Sequence, residues 1–209
     1  MKKLASIFLV LSIAAYASAF AQLDLVELVN INPNIRLDIK YATDDNFTKK
    51  AVYTQAKCFL RKAVADKINL VQQELEKQGL GLKVFDGYRP RSVQYKFWEL
   101  VPDPRYVGDP KKGSKHNRGS AIDLTIIRLS DGQEVEMPSG FDDFSEKAHR
   151  NYSTMTPEAS KNCKLLEDFM VKQGFIPLPT EWWHFDDADW QKYDLLDVSF
   201  EELEKQNHK

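Results

Sequence analysis

The chain has 209 residues, 43% hydrophobic and 29% charged, with a net charge of −2 at pH 7. Those are ordinary globular values, and the length suggests one domain able to bury its core without staples. The slight acidity leaves no footprint for a nucleic acid or an anionic membrane as partner.

Residues 1–21 have the form of a secretory signal peptide. Lys2 and Lys3 precede an apolar run too short for a comfortable membrane span, and small residues then fit cleavage after Ala19 or Ala21. The expected destination is the periplasm or the cell exterior, with no stable membrane insertion after cleavage. Residues 22–195 form the expected domain, and residues 196–209 a charged, exposed tail. The alternation in "IRLDIKYA", Ile35 to Ala42, predicts a strand with one wet face. Val64, Ile68, Val71 and Leu75 share one face of a helix predicted over Ala63–Gln78, with Gly79 just beyond it. "LKVFDGYRP" reads as a short strand ending at Gly87 and Pro90. Ser92 can cap a second helix carrying Val93, Phe97 and Leu100. After a Pro/Gly-rich loop over 101–113, "SAIDLTIIR" has apolar residues on both faces, as a central strand does. A hairpin-like stretch follows, then a helix with Thr156 as N-cap, Pro157 at its first position and Gly174 at its end. "EWWHFD" is a last strand or turn. The predicted class is α+β, a mostly antiparallel sheet flanked by helices.

Cys58 and Cys163 are the two cysteines. In an exported chain a pair tends to be bridged, so a Cys58–Cys163 disulfide is expected, with two separate buried thiols as the alternative. Neither sits in a Cys/His cluster of zinc-binding spacing.

Asp123 raises a sharper question. It lies among Ala, Ile and Leu, and an unpaired buried charge is very costly. It is either a satisfied core carboxylate or a metal ligand. His116 stands seven residues upstream. On one helix the two would be separated by about 10.5 Å along the axis, too far to share an ion. A loop leading into a strand can bring them together. His184 in the aromatic segment "EWWHF" can supply a third ligand and Glu181 a base, provided a local irregularity turns both to one side. Trp182 and Trp183 read as packing and pocket wall. Arg89, after a Gly-Tyr turn at a strand end, is either an exposed turn residue or a group able to steady an oxyanion.

Five stretches together resemble the D-alanyl-D-alanine dipeptidase family of zinc peptidases, within the wider group of zinc D,D-peptidases and hedgehog-like domains. They are "YATDDNF", "DGYRP", "SKHNRGSAIDLT", "GFDDF" and "EWWHF", in the family's order from Tyr41 to Phe185. The resemblance implies one Zn²⁺ per chain held by His116, Asp123 and His184. It also implies Glu181 as general base and later proton donor, and Arg89 as transition-state stabiliser. Asp142 should face the substrate ammonium, and Tyr41, Tyr53 and Ser114 should line the pocket, Ser114 near the carboxylate. The segment "KKAVYTQAKCFLRK" is shorter than in resistance-associated members, a departure that touches Tyr53. The expected substrate is the dipeptide D-Ala-D-Ala. The alternatives are a D,D-carboxypeptidase or endopeptidase of cell-wall peptides and, more distantly, a non-catalytic zinc module that binds peptides or partners.

Overall fold

The computed structural model describes residues 24–207 except Arg105, so the expected signal segment lies outside the described residues. In chain order the strands are β1 (Leu25–Glu27), β2 (Arg36–Leu37), β3 (Phe59–Arg61), β4 (Leu80–Asp86), β5 (Ala121–Arg128), β6 (Phe175–Pro177) and β7 (His184–Asp187). The helices are α1 (Leu28–Ile31), α2 (Lys62–Glu76), α3 (Arg91–Leu100), α4 (Pro157–Lys172) and α5 (Phe200–Asn207). Five strands form one sheet in the order β2-β4-β5-β7-β6, while β1 and β3 make a separate antiparallel ribbon. In the large sheet only β2 runs parallel to its neighbour, so the mostly antiparallel α+β expectation holds.

Strand β5 is central because its side chains can be buried on both faces. Ile122, Leu124 and Ile126 enter the hydrophobic core. Alternation puts Asp123 on the opposite face. Helix α2 packs on β4, and α4 on β5 and β6, with the two helices touching each other. The stripe Val64, Ile68, Val71 and Leu75 is wholly buried, which anchors α2 by its apolar face. Helix α4 starts where its sequence says. Thr156 Oγ1 accepts the Ala159 N–H at 3.0 Å, and Pro157 occupies the first helical position, a cap of about 1 kcal/mol. Among the described residues no helix is long and apolar enough to cross a membrane.

Four expectations are corrected. The alternating stretch from Ile35 yields only the two-residue β2. Asp38 N–H still reaches Val84 O at 2.8 Å, but Lys40–Ala42 then coil into a 3₁₀ turn. The Asn46 side chain draws that turn in by donating to the carbonyls of Lys40, Thr43 and Lys50. Ser92 does not cap α3. The helix begins at Arg91, two residues before the start that a Ser92 cap would give, with Pro90 in the cap position, and the Ser92 N–H donates to Asp197 Oδ1 at 2.8 Å.

Residues 196–207 are not an exposed tail. Phe200 and Leu203 on α5 are buried, and the Phe200 ring packs against Tyr53, Phe59 and Tyr88. Burying two such side chains contributes about 1.5–3 kcal/mol each, enough to dock a helix that is charged on its other side.

Cys58 and Cys163 are both free thiols. Cys163 does face inward on α4, beside Arg150. Cys58, however, precedes β3 in the small ribbon and packs against Gly87, whereas α4 lies on β5 and β6 of the large sheet. Both helices do pack on the large sheet; the expectation failed because Cys58 belongs to the separate ribbon, against Gly87, and not to the layer that carries Cys163.

Candidate active site

Three adjacent strands place three polar residues in a row. Asp86 pairs in register with Asp123, and Asp123 with His184. A register shift between Val84 and Asp86 marks a bulge in β4. In an unbroken strand Asp86 would share a face with Val84 and enter the core; the bulge turns it to the face of Asp123. His116 arrives on a 3₁₀ turn, His116–Arg118, that Gly119 ends with φ at 69°. The positive φ favours glycine there, and a Cβ would lie 2.5 Å from Leu25 Cδ2 and push that side chain aside.

The histidine tautomers are assigned by their outer partners. His116 Nδ1 donates to Gly87 O at 2.7 Å, leaving the lone pair on Nε2. His184 Nε2 donates to Asp186 Oδ1 at 2.9 Å, leaving the lone pair on Nδ1. Those two nitrogens lie 3.3 Å apart. Asp123 completes the triangle, with Oδ1 at 2.9 Å from His184 Nδ1 and Oδ2 at 3.4 Å from His116 Nε2. Three donors of a tetrahedral zinc at about 2.0–2.1 Å would be about 3.3 Å apart. Donor set, spacing and held tautomers therefore fit zinc, and His116, Asp123 and His184 form a group able to hold a metal ion. The electrostatics agree. Burial works against charge on both partners, yet the His116 and His184 imidazoles hold Asp123 well below the usual carboxylate range. Burial works against the charged His184 ring, but its hydrogen bonds to Asp123 and Asp186 outweigh burial and raise its pKa to about 10. A cation at this point takes the place of that proton.

Glu181 and His184 lie on one side because the chain turns between them. Glu181 N–H donates to Leu178 O and His184 N–H to Glu181 O, both at 3.3 Å, before β7 begins. This is the irregularity that the sequence required, and it brings Glu181 Oε2 to 3.9 Å from His184 Nδ1. Burial raises the Glu181 pKa, which suits a carboxylate that must accept a proton near neutrality.

His116, Asp123, His184, Glu181, Arg89, Asp142, Tyr41 and Ser114 line one cavity of about 430 Å³. Arg89 is buried rather than an exposed turn residue. Nε and Nη2 donate to Asp86 Oδ2 at 3.2 and 2.7 Å, Nη1 donates to Gln94 Oε1 at 2.9 Å, and the guanidinium lies over the Phe97 and Tyr41 rings. These bonds engage three of its five N–H groups. Asp142 has φ at 59°, the left-handed region that Asp tolerates better than most residues. Tyr41 O–H is 3.1 Å from both its oxygens. Burial, then the charge of Asp123, pushes the Asp142 pKa up to about 8. Ser114 Oγ accepts the His116 N–H at 3.2 Å. Trp183 is pocket wall, and Trp182 is packed with its indole N–H on Ser139.

Tyr53 is the predicted residue that does not line this cavity. It is buried behind Arg89, and its hydroxyl donates to Asp86 Oδ1 at 2.7 Å. Sequence reasoning missed Asp86, the fully buried carboxylate that fixes Arg89, and Asp186, which orients His184. The signal for Asp86 was present. Like Asp123, it is a carboxylate in a strand that is otherwise mostly apolar, here at the strand's end.

A family model described as D-ala-D-ala dipeptidase matches residues 21–205. The D-alanyl-D-alanine dipeptidase of Escherichia coli is 40% identical over 181 residues, covering 85% of this chain and 91% of that protein. Those of Enterococcus faecium and Streptomyces coelicolor are 33% and 31% identical, each over 72% of this chain and 85% of the relative. A match across nearly all of the described domain, on a cavity of this chemistry, makes the chain a member of the D-Ala-D-Ala dipeptidase family of peptidases.

Proposed function

We propose that the chain hydrolyses D-alanyl-D-alanine to two D-alanines with one zinc ion held by His116, Asp123 and His184. The observation that carries this reading is the single cavity shared by three metal donors, a turn-borne Glu181, Arg89 and Asp142. Zinc in that triangle would supply Lewis acidity toward the attacking water and the scissile carbonyl. Glu181 takes a proton from the attacking water and returns it to the leaving amine, for which burial has already raised its proton affinity. Arg89 steadies the developing oxyanion with the part of its guanidinium that lines the cavity. Asp142 takes the substrate ammonium, with the Tyr41 hydroxyl holding its carboxylate in place. Ser114 donates its hydroxyl to the substrate carboxylate. An exported location follows from the segment Lys2 to Ala21 and is part of the proposal.

Rates on D-Ala-D-Ala, its N-acetylated form, L-Ala-L-Ala and a pentapeptide test the reading. Free D-Ala-D-Ala should be turned over far faster than the others, because acetylation removes the charge that Asp142 meets. Equal rates on free and acetylated dipeptide would move the assignment to a D,D-carboxypeptidase. No turnover of any substrate with zinc bound would leave a non-catalytic zinc module.

A further inference from the structure

Arg150 lies outside the cavity and touches neither metal donor atoms nor substrate space. Yet the segment it grips is the one that carries Glu181 and His184. Its Nε donates to Leu178 O at 2.9 Å, its Nη2 to His184 O at 3.0 Å, and its backbone N–H to Pro179 O at 3.0 Å. Leu178 O also accepts the Glu181 N–H at 3.3 Å, and His184 O accepts the Leu178 N–H at 3.2 Å. The guanidinium thus joins both ends of the 178–184 turn through the same two carbonyls that the turn's own hydrogen bonds use. Two more contacts fix the clamp itself. Nη1 donates to Glu167 Oε2 on α4 at 3.2 Å, and the guanidinium lies 4.3 Å from the centre of the Phe185 ring. Two residues before Arg150, Ala148 O accepts the Trp182 N–H at 3.0 Å. The Arg150 side chain is only 9% exposed.

We infer that Arg150 is a positioning residue for the proposed reaction, setting the Glu181 carboxylate and the His184 ring by holding the 178–184 turn closed. The inference rests on the reading of Glu181 as base and His184 as metal ligand. A guanidinium suits the task because its donors lie in one plane and point in fixed, different directions, so it can serve two carbonyls and a carboxylate at once. A lysine ammonium keeps the charge but cannot reproduce that fork. The turn is the place where such control matters, since a loose base or ligand loses rate without loss of fold.

The test compares wild type, Arg150→Lys and Arg150→Ala by kcat, KM, zinc affinity in chelator competition, and melting temperature. Arg150→Lys should fold and keep KM within about threefold. Its kcat, its zinc affinity or both should fall about 10–100-fold, the usual cost of losing a partner that orients a metal ligand. Added guanidinium ion should restore part of the kcat of Arg150→Ala and none of that of Glu181→Ala. Wild-type kcat and zinc affinity in Arg150→Lys would overturn the inference. So would failure of both Arg150 variants to fold, since the residue would then be structural only. Zinc competition needs no turnover. A wild type inactive on D-Ala-D-Ala would refute the proposed function and leave the Arg150 comparison readable.

Discussion

On the α2 side of β7, Asp187 is fully buried and fully answered. Lys67 Nζ lies at 2.9 Å and the Asp189 N–H at 2.6 Å, with the ammonium also near the Phe175 ring. In the cavity, Asp142 and Glu181 are drawn out of water as well, but neither has such a cation of its own among the described residues. Asp142 meets the Tyr41 hydroxyl, and the basic group nearest Glu181 is His184 at 3.9 Å. The consequence is raised proton affinity at both cavity carboxylates, to a pKa of about 8 at Asp142. A buried carboxylate with its own cation holds the scaffold. One without it is free to bind an incoming ammonium or to carry a proton.

The strongest way to break this contrast is at Glu181. Glu181→Gln keeps the shape and removes the base. Turnover should fall by about 10²–10⁴-fold while zinc content stays at the wild-type level. Steady-state kinetics paired with metal analysis checks both halves, and activity within a few-fold of wild type would remove Glu181 from the reaction. Lys67→Ala attacks the other region. It strands Asp187 and should destabilise the fold by roughly 2–4 kcal/mol, the lower end reflecting partial exposure of the lysine. Chemical denaturation would show this, with kcat per folded molecule unchanged.

Asp142→Asn sharpens the contrast in two ways. It should raise KM for the free dipeptide by roughly 10–100-fold, the worth of a charge-assisted hydrogen bond. It should also change the pH dependence of stability in metal-free protein. A carboxyl raised to a pKa of about 8 holds its proton more tightly in the fold than in the unfolded chain. The stability it adds is complete below about pH 4 and is lost as the pH rises through 8. The melting temperature of Asp142→Asn relative to wild type should therefore be more favourable at pH 9 than at pH 5. An identical difference at both pH values would contradict the raised pKa. The smallest expected effect concerns a buried group that stays neutral. Burial pushes the Cys58 and Cys163 thiols up, so both stay protonated, and their separate places in the fold leave them unpaired. Denatured, unreduced protein should titrate two thiols per chain, and reductant should leave its melting temperature unchanged.

Much of the site was legible because its chemistry conflicts with its surroundings. Asp123 stands out in an apolar strand, and Glu181 with His184 stands out in an aromatic segment that must turn to be useful. Helix α4 was legible because Thr156, Pro157 and Gly174 act locally. The misses share a different cause. The strand at Ile35–Tyr41 was cut short by the side chain of Asn46, and α5 was docked by Phe59 and Tyr53, 141 or more residues before it in the chain. Tyr53 and Cys58 were misplaced because their neighbours, Asp86 and Gly87, come from β4 and the turn after it, through contacts that no local pattern encodes. The bulge that turns Asp86 toward Arg89 is likewise a property of the β4–β5 pairing.

The central claim is that His116, Asp123 and His184 hold the one zinc on which turnover depends. Titrating metal-free protein with zinc while following D-Ala-D-Ala hydrolysis tests it directly. The account predicts activity that rises linearly and saturates at one zinc per chain, and a His184→Ala variant that neither retains the metal nor gains activity. Saturation of His184→Ala at the same stoichiometry, or full wild-type turnover before any zinc is added, would contradict it.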